Sequence, residues 1–185
     1  SRMSWWLPVL ALLAFGSALH AQETEPTEAP ADFASQVDLQ PLEVVAVWQD
    51  GRLKSFESFA RSIMQSLTGP RRIDGHSPAF TYLDLMLRPE AYADTPLYYV
   101  KKKPFRALIV DAAMESGSPP DRGSLEDFME TGLATRGLLE RPEIVRLFSN
   151  LRSDVLRFAK PVEAVETALQ LSDPILLRRL LVFVP

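Results

Sequence analysis

The chain has 185 residues, a formal net charge of −4, 15 prolines and no cysteine. That length buries a core without covalent staples and suits one globular domain with tails. The mild acidity argues against a general nucleic-acid binder, which carries a basic stripe. The missing cysteine excludes disulfides, thiolate metal sites, cysteine nucleophiles and covalent haem attachment through C-x-x-C-H.

Residues 1–21, SRMSWWLPVLALLAFGSALHA, place one arginine before an apolar run from Trp5 to Phe15, then small residues at Gly16, Ser17, Ala18 and Ala21. This is the order of a secretory signal peptide, with Ala18 or Ala21 as the last residue removed. The alternative is a retained membrane anchor, disfavoured by the short run and by Pro8. The remainder is therefore expected outside the cytoplasm, in the periplasm, exported or membrane-tethered. Residues 22–40 are acidic and rich in Pro, Thr and Ala and read as a disordered linker. A single mainly helical domain is predicted over residues 41–185.

Val44 to Trp48 is β-prone, and Asp50-Gly51 tolerates the positive φ of a two-residue hairpin turn. Phe56, Phe59, Ala60, Ile63, Met64 and Leu67 then form one helical stripe, with Ser55 as its cap and Gly69-Pro70 as its stop. Ser77-Pro78 predicts a second capped helix ending before Pro89, and PEAYADTP a short helix or turn. A strand is expected at Leu97 to Val100, followed by an apolar segment around Ala107 to Val110. Ser124 to Asp127 reads as a capping box, with Gly132 closing that helix. From Pro142 to Leu169 a helical period persists, and Pro161 is expected to kink or divide it. Ser172-Asp173-Pro174 opens a last segment, whose apolar ending at Pro185 reads as part of a longer protein. The fold class is thus α+β, mostly α with a small N-terminal β-hairpin or a three-stranded element.

Chemistry is sparse. His76 is the one histidine left after signal removal; it reads first as an exposed loop residue. Its functional alternative is a metal or haem axial ligand, or a general base beside Asp74 and Ser77. A single histidine without cysteine does not build a usual zinc site, and no nucleophile motif, phosphate loop or dinucleotide fingerprint occurs. YYVKKKPFR joins Tyr98 and Tyr99 to Lys101, Lys102, Lys103 and Arg106; it reads as a strand end with a solvated tip, or as an anion, headgroup or nucleic-acid contact. Trp48 is expected to anchor the core. Arg52 is expected to pair within the fold, or else to join Asp50 and Lys54 in a recognition loop.

The stretch WQDGRLKSFESFARSIMQSLTGP also resembles the opening of the extracytoplasmic segment of bacterial cytochrome c biogenesis membrane proteins of the system II-like, haem-handling kind. Gln49, Asp50, Gly51, Arg52, Lys54, Phe59, Ala60, Thr68 and Gly69 fall on matching positions. So do Gly75, Ser77 and Pro78, then Pro89-Glu90-Ala91-Tyr92 and Pro96-Leu97-Tyr98-Tyr99-Val100. ALQLSDPILLRRLLVFVP is similar to the end of that segment. The chain departs from the pattern in having one glycine where a pair is usual and Ser55 in place of a proline. The family's haem-holding part, a tryptophan-rich loop flanked by histidines on membrane helices, does not match any part of it.

The resemblance implies a non-enzymatic, membrane-proximal domain that binds no cofactor in this segment, haem being held by a membrane part. Its implied partners are a membrane-embedded cytochrome c assembly subunit or apocytochrome c, with no nucleic acid. Gln49, Asp50, Gly51, Arg52 and Lys54 are the candidate docking residues, His76 a candidate ligand, and no metal or catalytic residue is expected. Two other readings stand beside it: an exported helical adaptor or structural subunit unrelated to haem, and an exported enzyme using His76 with Asp74.

Overall fold

A computed structural model describes residues 30–184. The expected signal or anchor at 1–21 and residues 22–29 of the linker lie outside the described residues. The described chain is mostly helical, as its periodicity predicts, with ten helices and two small antiparallel sheets. No helix among these residues is long and apolar enough to cross a membrane.

Two short helices are described around the second half of the expected linker. Helix α1 (Pro30–Gln36) lies within it, and α2 (Gln40–Glu43) begins at its last residue. Its composition hid one anchoring group: the Phe33 ring lies 6.0 Å from Phe80 and under the Arg88 guanidinium at 4.1 Å. Contacts of this kind support a short helix that propensity alone would leave frayed.

The hairpin follows where Asp50-Gly51 predicts it. Strands β1 (Ala46–Gln49) and β2 (Arg52–Ser55) pair in antiparallel register, Ala46 with Ser55 and Gln49 with Arg52. Helix α3 (Phe56–Thr68) begins directly at Ser55, whose hydroxyl accepts the Ser58 amide, and its predicted stripe is buried throughout. Ser77 caps α4 (Pro78–Leu87) in the same way, and Pro89–Tyr92 forms a 3-10 turn.

The rings of Phe56 and Phe59 meet Tyr82 edge-on at 5.9 and 5.2 Å, joining α3 to α4. Tyr82 donates its hydroxyl to the carbonyl of Leu177 at 2.5 Å. That bond draws in the last helix, α10 (Pro174–Leu180), capped by Asp173. Asp84, buried in α4, accepts from Arg88 Nε at 2.6 Å and from the Tyr92 hydroxyl at 2.8 Å, which fixes the turn after the helix.

The second half of the chain packs around Phe105. Strand β3 (Tyr98–Tyr99) is shorter than expected, and the apolar segment after it is helix α5 (Lys103–Met114). Helix α6 (Arg122–Thr131) starts two residues before the expected capping box. Asp121 is its cap and accepts the Ser124 amide at 3.0 Å, so Ser124 lies inside the first turn. Both residue types can cap, and the upstream carboxylate takes the role here.

Gly132 then turns the chain left-handed (φ +77) into β4 (Leu133–Ala134), which pairs with β3 and leads to the short α7 (Arg136–Leu139). The long helical period from Pro142 is two helices, α8 (Pro142–Leu151) and α9 (Ala159–Leu171). The break lies upstream of Pro161. The carbonyl of Asp154 accepts the amides of Phe158 and Ala159, and its carboxylate accepts that of Arg157. Local bonds of this kind compete with the helical ladder. Pro161 sits in the first turn of α9, where its missing N–H is harmless.

One buried cation holds this half together. Arg106 is 4% exposed and donates only to backbone: to Val100 O at 2.6 Å, Met129 O at 3.0 Å, Glu130 O at 3.3 Å and Lys101 O at 3.5 Å. A Cβ placed on Gly132 would stand 2.2 Å from its Nη2. Gly132→Ala therefore adds left-handed strain to a steric clash, and should destabilise the fold by about 1–3 kcal/mol in denaturant melts.

Burial holds the Tyr82 phenol above its ordinary range, and burial with the hydrogen bond to Asp84 does the same for Tyr92. In the unfolded chain both ionise near about pH 10, while in the folded chain they keep their protons. Their contribution is whole below that pH and is lost as the pH rises above it. Denaturant melts between about pH 9 and 11 should show stability falling with pH, and Tyr82→Phe should flatten the fall.

Candidate functional site

The hairpin tip is built by backbone geometry. Asp50 (φ 50) and Gly51 (φ 76) both adopt left-handed conformations, the pair of dihedrals that a two-residue turn between twisted strands requires. A Cβ on Gly51 would meet no atom within 4 Å, so the glycine is there for its φ and not for space. Directly opposed residues of an antiparallel pair share a face, so Val47, Gln49, Arg52 and Lys54 lie on one side. Val47 at its base is fully buried, while Lys54 donates to Gln49 Oε1 at 2.9 Å. Asp50 and Arg52 stand exposed at the tip.

No ion pair or side-chain hydrogen bond among the described residues includes Arg52. The expected internal partner is not found among the described residues, where Arg52 stands exposed.

Trp48 is a second correction: it is 49% exposed. Successive side chains of a strand point to opposite faces, so committing Val47 to the core sends Trp48 outward. A third strand-like segment sharpens the consequence. Trp48 donates its amide to Val182 O at 2.9 Å, Val184 donates to Ala46 O at 3.0 Å, and Val47 bridges Phe183. Leu53, Trp48 and Val182 therefore form an apolar row across the outer face, at 59, 49 and 49% exposure. This row is what sequence reasoning missed. Its signal was the alternation itself, which places 48 and 53 together once 47 is buried.

His76 belongs to a different place. It follows a left-handed Asp74-Gly75 turn, donates its amide to Ile73 O at 2.9 Å, and rests its ring 4.8 Å from Phe80. It is half-buried, not an open loop residue. It lines a cavity of about 260 Å³ with Asp38, Glu43 and Ser77. Asp74, two residues earlier, lines another cleft.

That cleft, about 570 Å³, lies between the Arg72–Asp74 turn, α6 and α7, over a floor of Leu125, Phe128 and Leu138. Its Arg141 is engaged with Glu143 at 2.5 Å and with Ser116 at 3.1 Å, and this pairing holds the Glu143 carboxyl below its usual range. None of the residues singled out as candidate docking or ligand positions lines it. Its walls come from separate segments, which no local motif announces. Among the described residues no group of three or more His, Cys, Asp or Glu is placed to hold a metal ion.

The hairpin thus presents a charged tip on one side and an apolar row on the other, on a frame fixed by α3 and residues 182–184. Because Arg52 is exposed and has no partner among the described residues, Arg52→Ala should shift stability by less than about 0.5 kcal/mol. Val47→Ala, two strand positions from the tip, should cost about 2 kcal/mol in the same denaturant melts. Comparison with protein-family models, with curated proteins and with solved structures finds no significant match to this chain.

Proposed function

We propose that the chain is a non-enzymatic extracytoplasmic domain that assists cytochrome c assembly by docking a partner, either apocytochrome c or the membrane-embedded assembly subunit. The observation that carries the reading is the hairpin: within the phrase of closest family resemblance, Asp50, Gly51 and Arg52 stand exposed at its tip, backed by the half-buried Gln49 and Lys54. An unpartnered arginine and an exposed tryptophan are the side chains that most often dominate binding energy at protein interfaces. Here both occur within one hairpin, held in place by a turn that few sequences tolerate. In this reading haem is held by the membrane part of the assembly, and the residues of this domain bind and orient the partner without touching the reacting atoms.

The test uses Arg52→Ala and Trp48→Ser together in the producing cell. Mature c-type cytochrome, read by haem staining at matched protein level, should fall about tenfold or more, since each truncation removes an interface anchor. Unchanged cytochrome, with no assembly component recovered on purification from the envelope, would instead favour an exported helical adaptor unrelated to haem.

A further inference from the structure

A second surface lies between α8 and α9, and the hairpin does not include it. In the loop of residues 152–158, Val155 is 73% and Leu156 94% exposed. Aliphatic side chains held this far into water gain nothing for the fold. The loop's one acid, Asp154, is occupied in accepting the Arg157 amide at 3.1 Å. Lys102 donates its Nζ to the carbonyl of Arg157 at 3.0 Å, which seats the Lys101-Lys102-Lys103 run beside the loop.

Lys101, Lys102 and Lys160 together line a cavity of about 210 Å³ whose floor includes Tyr99, Phe105 and Val165. Helix α5 starts just after Lys102, and α9 starts just before Lys160. Their positive ends therefore flank the same cavity and add to its potential. No lysine among the described residues takes part in an ion pair. A chain of net charge −4 thus gathers Lys101, Lys102, Lys103, Arg157 and Lys160 around two exposed aliphatic side chains.

We propose that this face docks on an anionic lipid bilayer. Val155 and Leu156 enter the boundary between headgroups and acyl chains, while the lysines and Arg157 meet headgroup phosphates, one of them seated in the Lys101–Lys102–Lys160 cavity. An apolar tip combined with a basic surround is the pairing that interfacial anchoring needs, because neither term alone holds a protein to a bilayer stably. Single-stranded nucleic acid fits less well, since its affinity leans on exposed aromatic rings and the exposed pair here is aliphatic. The inference stands on this face alone and does not rest on the cytochrome role.

The chain has no cysteine, so Leu156→Cys supplies a unique site for an environment-sensitive dye in the full chain. The dye reports locally, so it is blind to adsorption through residues 1–21. Its emission should brighten and shift to the blue on phosphatidylglycerol–phosphatidylcholine vesicles but not on phosphatidylcholine alone, and added salt should reverse the change. The same dye at Ser62→Cys, exposed on α3, should not respond. Lys101→Gln, Lys102→Gln and Lys160→Gln combined should raise the anionic lipid required by about a hundredfold, at about fivefold for each lysine. Circular dichroism checks that the triple variant folds, and the salt titration probes the same electrostatics with no lysine changed. The proposal is overturned by a silent dye at 156 on anionic vesicles, by an equal response on neutral ones, or by insensitivity to both salt and the lysine changes. It is also overturned by a response to a single-stranded oligonucleotide or polyglutamate in place of vesicles.

Discussion

The guanidinium of Arg106 has been taken out of water, and no carboxylate among the described residues meets it. Moving such a group inside costs several kcal/mol unless its donors are satisfied. Here the compensation is entirely backbone: Val100 and Lys101 after β3, and Met129 and Glu130 in the last turn of α6, where the helix dipole is negative. Because these carbonyls come from two separate segments, one side chain fixes the end of β3 against the end of α6. Everything downstream inherits that placement. Gly132 can turn left-handed only beneath the guanidinium, the turn delivers β4 to β3, and the paired strands present Tyr98 to Ser172 at 2.8 Å. Arg136 closes the arrangement by donating to Ser172 Oγ at 2.7 Å and to Leu169 O at 3.0 Å, which sets the end of α9 and the direction of α10.

The two surfaces discussed above follow from the same frame by opposite routes. At the hairpin, burial of one strand residue forces its neighbour into solvent, so the apolar row is a by-product of alternation that the last residues of the fold extend. At the α8–α9 loop, exposure accompanies a break: the Asp154 carboxylate takes the Arg157 amide, and Val155 and Leu156 project into solvent. The lysines beside that loop are displayed by Arg106 itself, because its bonds to Val100 and Lys101 anchor the backbone just before the run turns outward. A buried cation thereby positions an exposed cluster of like charge without contacting it.

Much of the local structure was legible in the sequence because caps and turns are local. Ser55, Ser77, Asp173, Asp50-Gly51 and Gly132 each do what their residue type predicts. Where two capping residues stood three positions apart, at Asp121 and Ser124, the choice depended on where the preceding loop enters, and the pattern alone did not decide it. The helical period from Ile144 to Leu169 was real on both sides of the break, since each helix buries its own stripe, but period says nothing of continuity. Arg106 could not be recognised, because its partners are carbonyls and every residue has one. The candidate site was legible as a turn and not as a surface. Trp48 was misplaced because hydrophobicity was weighed ahead of strand parity, and its neighbour Val182 lies far along the chain.

The pairing of residues 182–184 with β1 has a consequence for biosynthesis. A chain emerging from its N-terminus completes the hairpin early, yet the outer edge of β1 stays unpaired until nearly all of the described sequence has followed. The Tyr82–Leu177 bond, spanning 95 positions, imposes the same wait on the α4–α10 contact. Such long-range closures are slow, and an open strand edge is a template for pairing with other chains while it lasts. The nascent form is therefore the vulnerable one: until residues 182–184 arrive, the outer edge of β1 is open to a chaperone or a premature contact.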